Sequence, residues 1–379
     1  MHTSSRIALA AAAAAALVAG GAATANAATA SPDLHGHHRV AGTVFVQTDS
    51  TAHNSVVAYD RLSNGTLRPA GSYRTGGTGG ALDGSVVDHT ASEGSLVRSG
   101  SSLFAVNAGS NTVTSFAIRG DRLVHRHEVS SHGQFPVSVT AHGNRVFVLN
   151  ARDGGSIQGY LHHAGRLIAV PSWHRTLGLD PNATPEFTHT PAEIAFTPDG
   201  SKVVVSTKGN TSAFDVFGFG HAGLAAKPVV TALPNDVPFG FSFDHRGALV
   251  TSEAGPNAVA SFTVNQDGTL TQRSSVATGQ KASCWIVIDG HHVYASNAGS
   301  GTVSGYSLGR NGSLTSTGTT ATDAGTVDAA ATRDGRYLYV QTGAAGIVDE
   351  FAVATNGALR NIGAVTVPGA IGAEGIVAS

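Results

Sequence analysis

The sequence predicts an all-β chain folded as a seven-bladed β-propeller of four-stranded antiparallel blades, and three observations carry that prediction. One strand-turn-strand unit recurs seven times, the composition is that of a chain with many tight turns, and the C-terminal segment reads as the strand that the first repeat lacks.

The recurrence is read from side chains. An apolar residue followed three positions later by Phe or Tyr occurs at Val56/Tyr59, Val113/Phe116, Ile157/Tyr160, Phe214/Phe217, Val259/Phe262, Val303/Tyr306 and Val348/Phe351. A leucine follows each aromatic seven or eight residues on, at Leu67, Leu123, Leu167, Leu224, Leu270, Leu314 and Leu359. Upstream of each aromatic lies a short apolar run ending in polar residues, such as Val146-Phe147-Val148-Leu149-Asn150, which is the pattern of a buried strand. Successive aromatics stand 57, 44, 57, 45, 44 and 45 residues apart, so two repeats carry insertions, roughly Gly71 to Ser92 and Pro171 to Thr190. Each unit is a meander whose strands are labelled A to D from the axis outward. A twisted four-stranded sheet cannot bury both faces alone, whereas seven set radially bury each against its neighbours.

Composition agrees. Charged residues make up 13% of the chain against 48 glycines, which suits tight turns better than long solvated helices. The segment Gly372-Ala373-Glu374-Gly375-Ile376-Val377-Ala378 looks like a lone strand A, while the first repeat starts at strand B near Thr43. The C-terminus is therefore expected to complete the first blade and to hide two sheet edges.

The N-terminus reads as an export signal. Arg6 precedes an apolar run from Ile7 to about Gly20, and Ala25-Asn26-Ala27 offers small residues for cleavage. The expected organisation is a signal peptide over 1–27, a flexible lead-in over 28–39 and one propeller over 40–379, secreted and with no membrane span. A formal charge of −2 leaves no broad basic field for nucleic acid. Cys284 is the only cysteine, so no intrachain disulfide forms, and its apolar setting makes it a buried small residue rather than a nucleophile.

In such a meander the B-to-C loops and D-to-A connections share one face, here called the top. Both insertions are D-to-A connections, and Gly76-Gly77 and Gly79-Gly80 predict that the first is mobile. Counting back from the A-to-B turns puts Glu93, Glu193 and Asp328 at matching places near the top of strand A, with Glu374 equivalent by closure. Ser138, Gly240 and Trp285 fill the other three. Crowded carboxylates raise one another's pKa or recruit a hard cation, so the ring could serve as a general acid/base group or take calcium or magnesium. The plainer role, which the sequence favours, is to accept hydrogen bonds from backbone amides of neighbouring strands.

A second ring follows strand B: Asp49, Asn107, Asn150, Arg152, Lys208, Glu253 and Asn297. Arg152 and Lys208 could bind a carboxylate or polarise a lactone carbonyl, with Glu253 as acid or base. Residues of this kind more often serve solubility. His89 and His189 stand within the top insertions, whereas His35-Gly36-His37-His38 belongs to the lead-in. No His-Glu-x-x-His, nucleotide-binding glycine motif or serine-hydrolase elbow occurs.

With Pro191-Ala192-Glu193-Ile194-Ala195-Phe196-Thr197-Pro198-Asp199-Gly200 and Asn311-Gly312-Ser313-Leu314, the chain resembles the lactonase-type seven-bladed propeller family. The resemblance implies an activity on lactones, since members include phosphogluconolactonases, which hydrolyse a sugar lactone, and carboxymuconate cyclases, which form one. Neither requires a redox cofactor. The family's Gly-Pro-Arg-His at the start of a strand A is replaced by Pro136-Val137-Ser138, Pro191-Ala192-Glu193 and Pro238-Phe239-Gly240, which lack the Arg and His, while Glu253 fits the family's Glu at the end of a strand B.

Two functions follow. One is a secreted lactonase-like enzyme with a top-face pocket, in which Glu253, Arg152, Lys208, His189 and Glu193 are the catalytic candidates. The other is a non-catalytic extracellular propeller that binds a ligand or a protein. Both are expected as monomers.

Overall fold

The computed structural model describes residues 38–379. The expected signal peptide, most of the lead-in and His35-Gly36-His37 lie outside the described residues. Within them the chain forms seven four-stranded antiparallel sheets, the fourth with its outer strand broken into Gly223–Leu224 and Val229–Ala232. Two single-turn helices, Glu186–His189 and Lys208–Thr211, are the only α-helices among the described residues. No helix there is long and apolar enough to cross a membrane.

Blades are numbered from the N-terminus. Blade 1 takes its strand A from the far end of the chain: Ile376–Ala378 pairs with Val40–Gln47 in the register Val44↔Ala378, Phe45↔Val377, Val46↔Ile376. Three further contacts seal the join. The Ser379 amide donates to the Thr43 carbonyl at 3.0 Å, the Thr43 amide to Ser379 Oγ at 2.9 Å, and Arg61 Nε to the Ser379 carbonyl at 2.9 Å.

Strand alternation explains how the wheel packs. Side chains of one strand point to opposite faces, so a blade serves two interfaces at once. Val44 and Val46 join Tyr59, Tyr337 and Tyr339 between blades 7 and 1, while Phe45 between them joins Leu96 and Phe116 between blades 1 and 2. Every one of the seven repeat aromatics is at most 3% exposed, a burial worth roughly 1.5–3 kcal/mol each. Five of the repeat leucines are buried, whereas Leu270 and Leu359 are half-buried. Several of these leucines also receive a cap from the preceding blade: the amides of Leu67, Leu270 and Leu314 donate to Glu350, Thr231 and Ser274.

The first insertion differs from its expectation. Thr75, Leu82, Thr90 and Ser92 are buried, and the segment is bonded to several blades: Gly79 N donates to the Ser50 carbonyl, His89 N to the Gly372 carbonyl, and Trp285 Nε1 to the Ser92 carbonyl. Its glycines serve close approach rather than mobility. A Cβ on Gly79 would lie 1.9 Å from the Asp49 carbonyl oxygen. Leu82 and Ala91 of this segment pack with Phe239, Trp285 and Val327, so the loop covers the upper mouth of the channel with an apolar plug.

Candidate functional site

The acidic ring is formed, and its carboxyls accept hydrogen bonds from backbone amides. Inner strands around the axis present backbone N–H groups that no sheet partner satisfies, and a buried amide without an acceptor costs roughly 1–3 kcal/mol. Side chains of the ring supply most of the acceptors. Glu374 of blade 1 accepts from Gly94 N at 2.8 Å in blade 2. Ser138 Oγ of blade 3 accepts from Ile194 N at 3.2 Å, Glu193 of blade 4 from Phe241 N, and Asp328 of blade 7 from Ile376 N at 3.1 Å.

One exception explains the rest. Gly240 of blade 5 has no side chain for Ile286 of blade 6, and Glu93 reaches across the axis to do it, with Ile286 N 3.0 Å from Oε2. A Cβ on Gly240 would lie 1.6 Å from that oxygen. Trp285 likewise cannot accept, so Asp328 takes its own neighbour's amide, Ala329 N, at 2.7 Å.

All four carboxyls are buried. Burial, then the neighbouring Glu193 and Asp328, hold Glu93 well above the usual carboxylate range. Burial likewise raises Glu193 and Glu374, and it pushes Asp328 up to about 7. Asp49, bonded to Gln47 and to Glu374 N at 3.0 Å, is pushed by burial up to about 7. No group of three or more His, Cys, Asp or Glu among the described residues is arranged to hold a metal ion. The bonds to Gly94, Phe241, Ile286 and Ile376 are the ones that the plainer of the ring's expected roles calls for.

The second ring divides. Asn107 and Asn297 donate from Nδ2 to hydroxyls on strand C of their own blades, Asn107 to Thr112 and Thr114, Asn297 to Thr302 and Ser304. Asn150 donates likewise to Ser156. Glu253 is turned toward the outer strand of its own blade, where Ser275 Oγ donates to it at 2.8 Å, and burial raises its pKa. The expected grouping of Glu253 with Arg152 and Lys208 is not formed, because Glu253 continues the strand alternation of blade 5 and so faces into the sheet stack.

Lys208 is fully used. It occupies a left-handed backbone position, φ 46°, at the start of its one-turn helix. Its Nζ donates to the Ala91 carbonyl at 2.6 Å, the Phe187 carbonyl at 2.7 Å and Thr190 Oγ1 at 2.9 Å. Burial pushes its ammonium down to about 7, with Asp88 opposing. The three donors match three acceptors, so Lys208 ties the two insertions together over the channel and has no hydrogen left for a substrate.

What remains open is the rim between blades 3 and 4. Arg152 forms a two-point ion pair with Glu186, Nε to Oε1 at 2.7 Å and Nη2 to Oε2 at 3.0 Å, and lies over the Phe135 ring at 4.4 Å. Its side chain is 40% exposed, and Nη1 has no partner among the described residues. Arg152 holds Glu186 below the usual carboxylate range. His189, at the end of the helix Glu186–His189, has Nδ1 2.9 Å from the Pro185 carbonyl. Thr188 Oγ1 also lies 2.9 Å from Nδ1, and the tautomer that bonds the Pro185 carbonyl through Nδ1–H leaves Nε2 as the acceptor. Arg152, Glu186 and His189 line one cavity of about 150 Å³, with Asp153, Asp180 and Thr190.

The sequence reading missed two residues central to this arrangement. Glu186 lies 34 positions from Arg152, and its partner is set only by the folding of the insertion. Asp88 organises the plug by accepting from Thr90 N and Ser92 N, both at 2.8 Å, and Asp-x-Thr-x-Ser was a legible turn pattern. His89 rests over Gly372, away from the cavity, with Nδ1 unpartnered among the described residues. Cys284 is only partly buried, packed against the core, and burial pushes its thiol up to about 12.

No curated protein matches the chain in sequence. Solved structures share its shape. A candidate 6-phosphogluconolactonase from Bacteroides fragilis superposes with a TM-score of 0.70 at 19% identity, covering 92% of this chain and 100% of that one. The periplasmic gluconolactonase of Pseudomonas aeruginosa gives 0.70 at 16% identity, covering 89% and 98%. A virginiamycin B lyase from Staphylococcus aureus gives 0.55 at 14% identity, covering 77% and 90%. At such identities the likeness speaks for the fold alone, which hosts both hydrolytic and lyase names. The family described as Lactonase, 7-bladed beta-propeller matches residues 250–373, so this chain is a seven-bladed propeller that is similar to that family over its last three blades.

Proposed function

We propose that the protein opens a small lactone by hydrolysis at the rim cavity between blades 3 and 4, with Arg152 and His189 as its catalytic residues. The observation that carries this reading is the pairing of an arginine nitrogen left free with a histidine held through Nδ1 at the Pro185 carbonyl, both lining one cavity. They stand in for the Arg and His absent from the strand A starts. Glu186 fixes the guanidinium, so Nη1 is presented without reorganisation. His189 Nε2 takes a proton from water as the water oxygen adds to the lactone carbonyl, and Arg152 stabilises the oxyanion. Collapse breaks the ring C–O bond, the imidazolium returns its proton to the leaving alkoxide, and the new carboxylic acid loses its remaining proton to water, leaving a carboxylate that rests on Arg152. This chemistry needs no redox cofactor, and neither the acidic ring nor a calcium or magnesium ion takes part. Arg6 and the apolar run from Ile7, read as an export signal, support action outside the cytoplasmic membrane; the proposed enzyme acts as a monomer.

The test is a panel of sugar and aromatic lactones. Arg152→Ala and His189→Ala should each lower kcat/KM by about a hundredfold or more, while Glu253→Gln leaves the rate near wild type. Only the uncatalysed rate across the panel, or full activity in both variants, would sink the proposal. A second reading, a non-catalytic binding propeller, is favoured by the plug over the channel mouth. It requires ligand retention without turnover in the same panel.

A further inference from the structure

We propose that the face opposite the rim cavity carries a separate site for a small organic anion bearing several carboxylate or phosphate groups, held by Lys202, Arg246, Arg273 and Arg310. A cleft of about 780 Å³ opens there between the A-to-B turns of blades 4 and 5 and the C-to-D hairpin of blade 6. Its volume suits a drug-sized ligand. Those four permanent cations and His245 line it, against one lining carboxylate, Asp199, on a chain whose formal net charge is −2.

The cations are positioned yet have donors to offer. Arg246 uses only Nε, on the buried Asp244 at 2.7 Å. Arg273 uses only Nε, on Thr263 Oγ1 at 2.8 Å, and its stem lies against Gly312, where an added Cβ would stand 2.7 Å from Arg273 Cβ. Gly312 is fixed in turn by Ser261, whose hydroxyl donates to its carbonyl. Arg310 has no hydrogen-bond partner among the described residues, and Lys202 Nζ has only Ser201 Oγ at 3.5 Å. Asp199 is bonded by Thr197 Oγ1, Ser201 N and Ser201 Oγ, and none of the four cations hydrogen-bonds to it.

Like charges gathered in one cleft repel one another, and an anion relieves that repulsion while filling the guanidinium forks that carboxylate and phosphate fit. A single monoanion would meet only part of the set, so the ligand class is multiply charged. Because the cations are confined to one cleft rather than spread as a stripe, a small molecule fits better than a nucleic-acid backbone.

Calorimetric titration of the full chain at low ionic strength, with citrate and with pyrophosphate, tests this. Binding of at least one is expected, weakening as salt is raised, and Arg273→Ala/Arg310→Ala should lower its affinity at least tenfold with the melting temperature unchanged. Arg152→Ala should leave this binding intact, which separates the site from the rim cavity. Citrate alone identifies a carboxylate ligand and pyrophosphate alone a phosphate ligand. No heat with either anion at millimolar concentration, or equal affinity in the double variant, overturns the proposal.

Discussion

Gly240 sits where the other six blades carry a side chain, and the carboxylate of Glu93 fills the room it leaves. Gly240→Ala should therefore displace Glu93 and strip Ile286 N of its acceptor, lowering stability by about 2–4 kcal/mol in denaturant unfolding. A neutral result would mean that Glu93 has another way to reach blade 6. Lys208 offers the complementary case. Lys208→Met keeps the bulk but leaves two carbonyls and a hydroxyl buried without their donor, at a cost of about 3 kcal/mol. Because those acceptors belong to both insertions, amide exchange should rise in residues 75–95 and 177–192 before it rises in the sheets.

At the scale of elements, the strand that closes the wheel and the loop that covers it depend on contacts with opposite ends of the chain. Removing residues 375–379 deletes strand A of blade 1 and exposes the edge of Val40–Gln47. The truncated protein should melt at least 10 °C lower and aggregate, as an unpaired edge invites; scattering and thermal melting check both. Much at this scale was legible beforehand. The strand alternation and the spacing of Tyr59, Phe116 and their equivalents are local, so blades, insertions and closure could be read directly. The behaviour of the first insertion could not. Gly76-Gly77 and Gly79-Gly80 look the same in a sequence whether they loosen a loop or let it lie against Asp49, and only the neighbour decides.

Across the whole molecule, buried carboxyls set the response to pH. Asp49, Asp328 and Glu350 are each raised to about 7, and Glu93, Glu193 and Glu374 are raised as well. A raised folded pKa means that the folded state holds the proton longer, so stability is greatest below the unfolded value near 4 and falls as pH climbs to 7. Asp199, held at about 2, acts in the opposite sense and limits stability below pH 4. Lys208, lowered to about 7, returns some stability between pH 7 and 10. Thermal melting should therefore peak near pH 4–5 and drop by about 5–10 °C by pH 7. Glu93→Gln should flatten that slope; a melting temperature that rises from pH 5 to 7 would contradict the assignment.

The sequence by itself determined the seven blades, their closure and the presence of a ring of acids at the channel, because each rests on periodicity within a few dozen residues or on matched repeat positions. Only the tertiary structure decided which charged groups are committed and which are free. Glu93 serves Ile286, Lys208 serves Ala91 and Arg152 serves Glu186, across separations of 193, 117 and 34 residues. Hydrogen bonds of that reach are fixed by how blades and loops meet in space, and no local pattern encodes them.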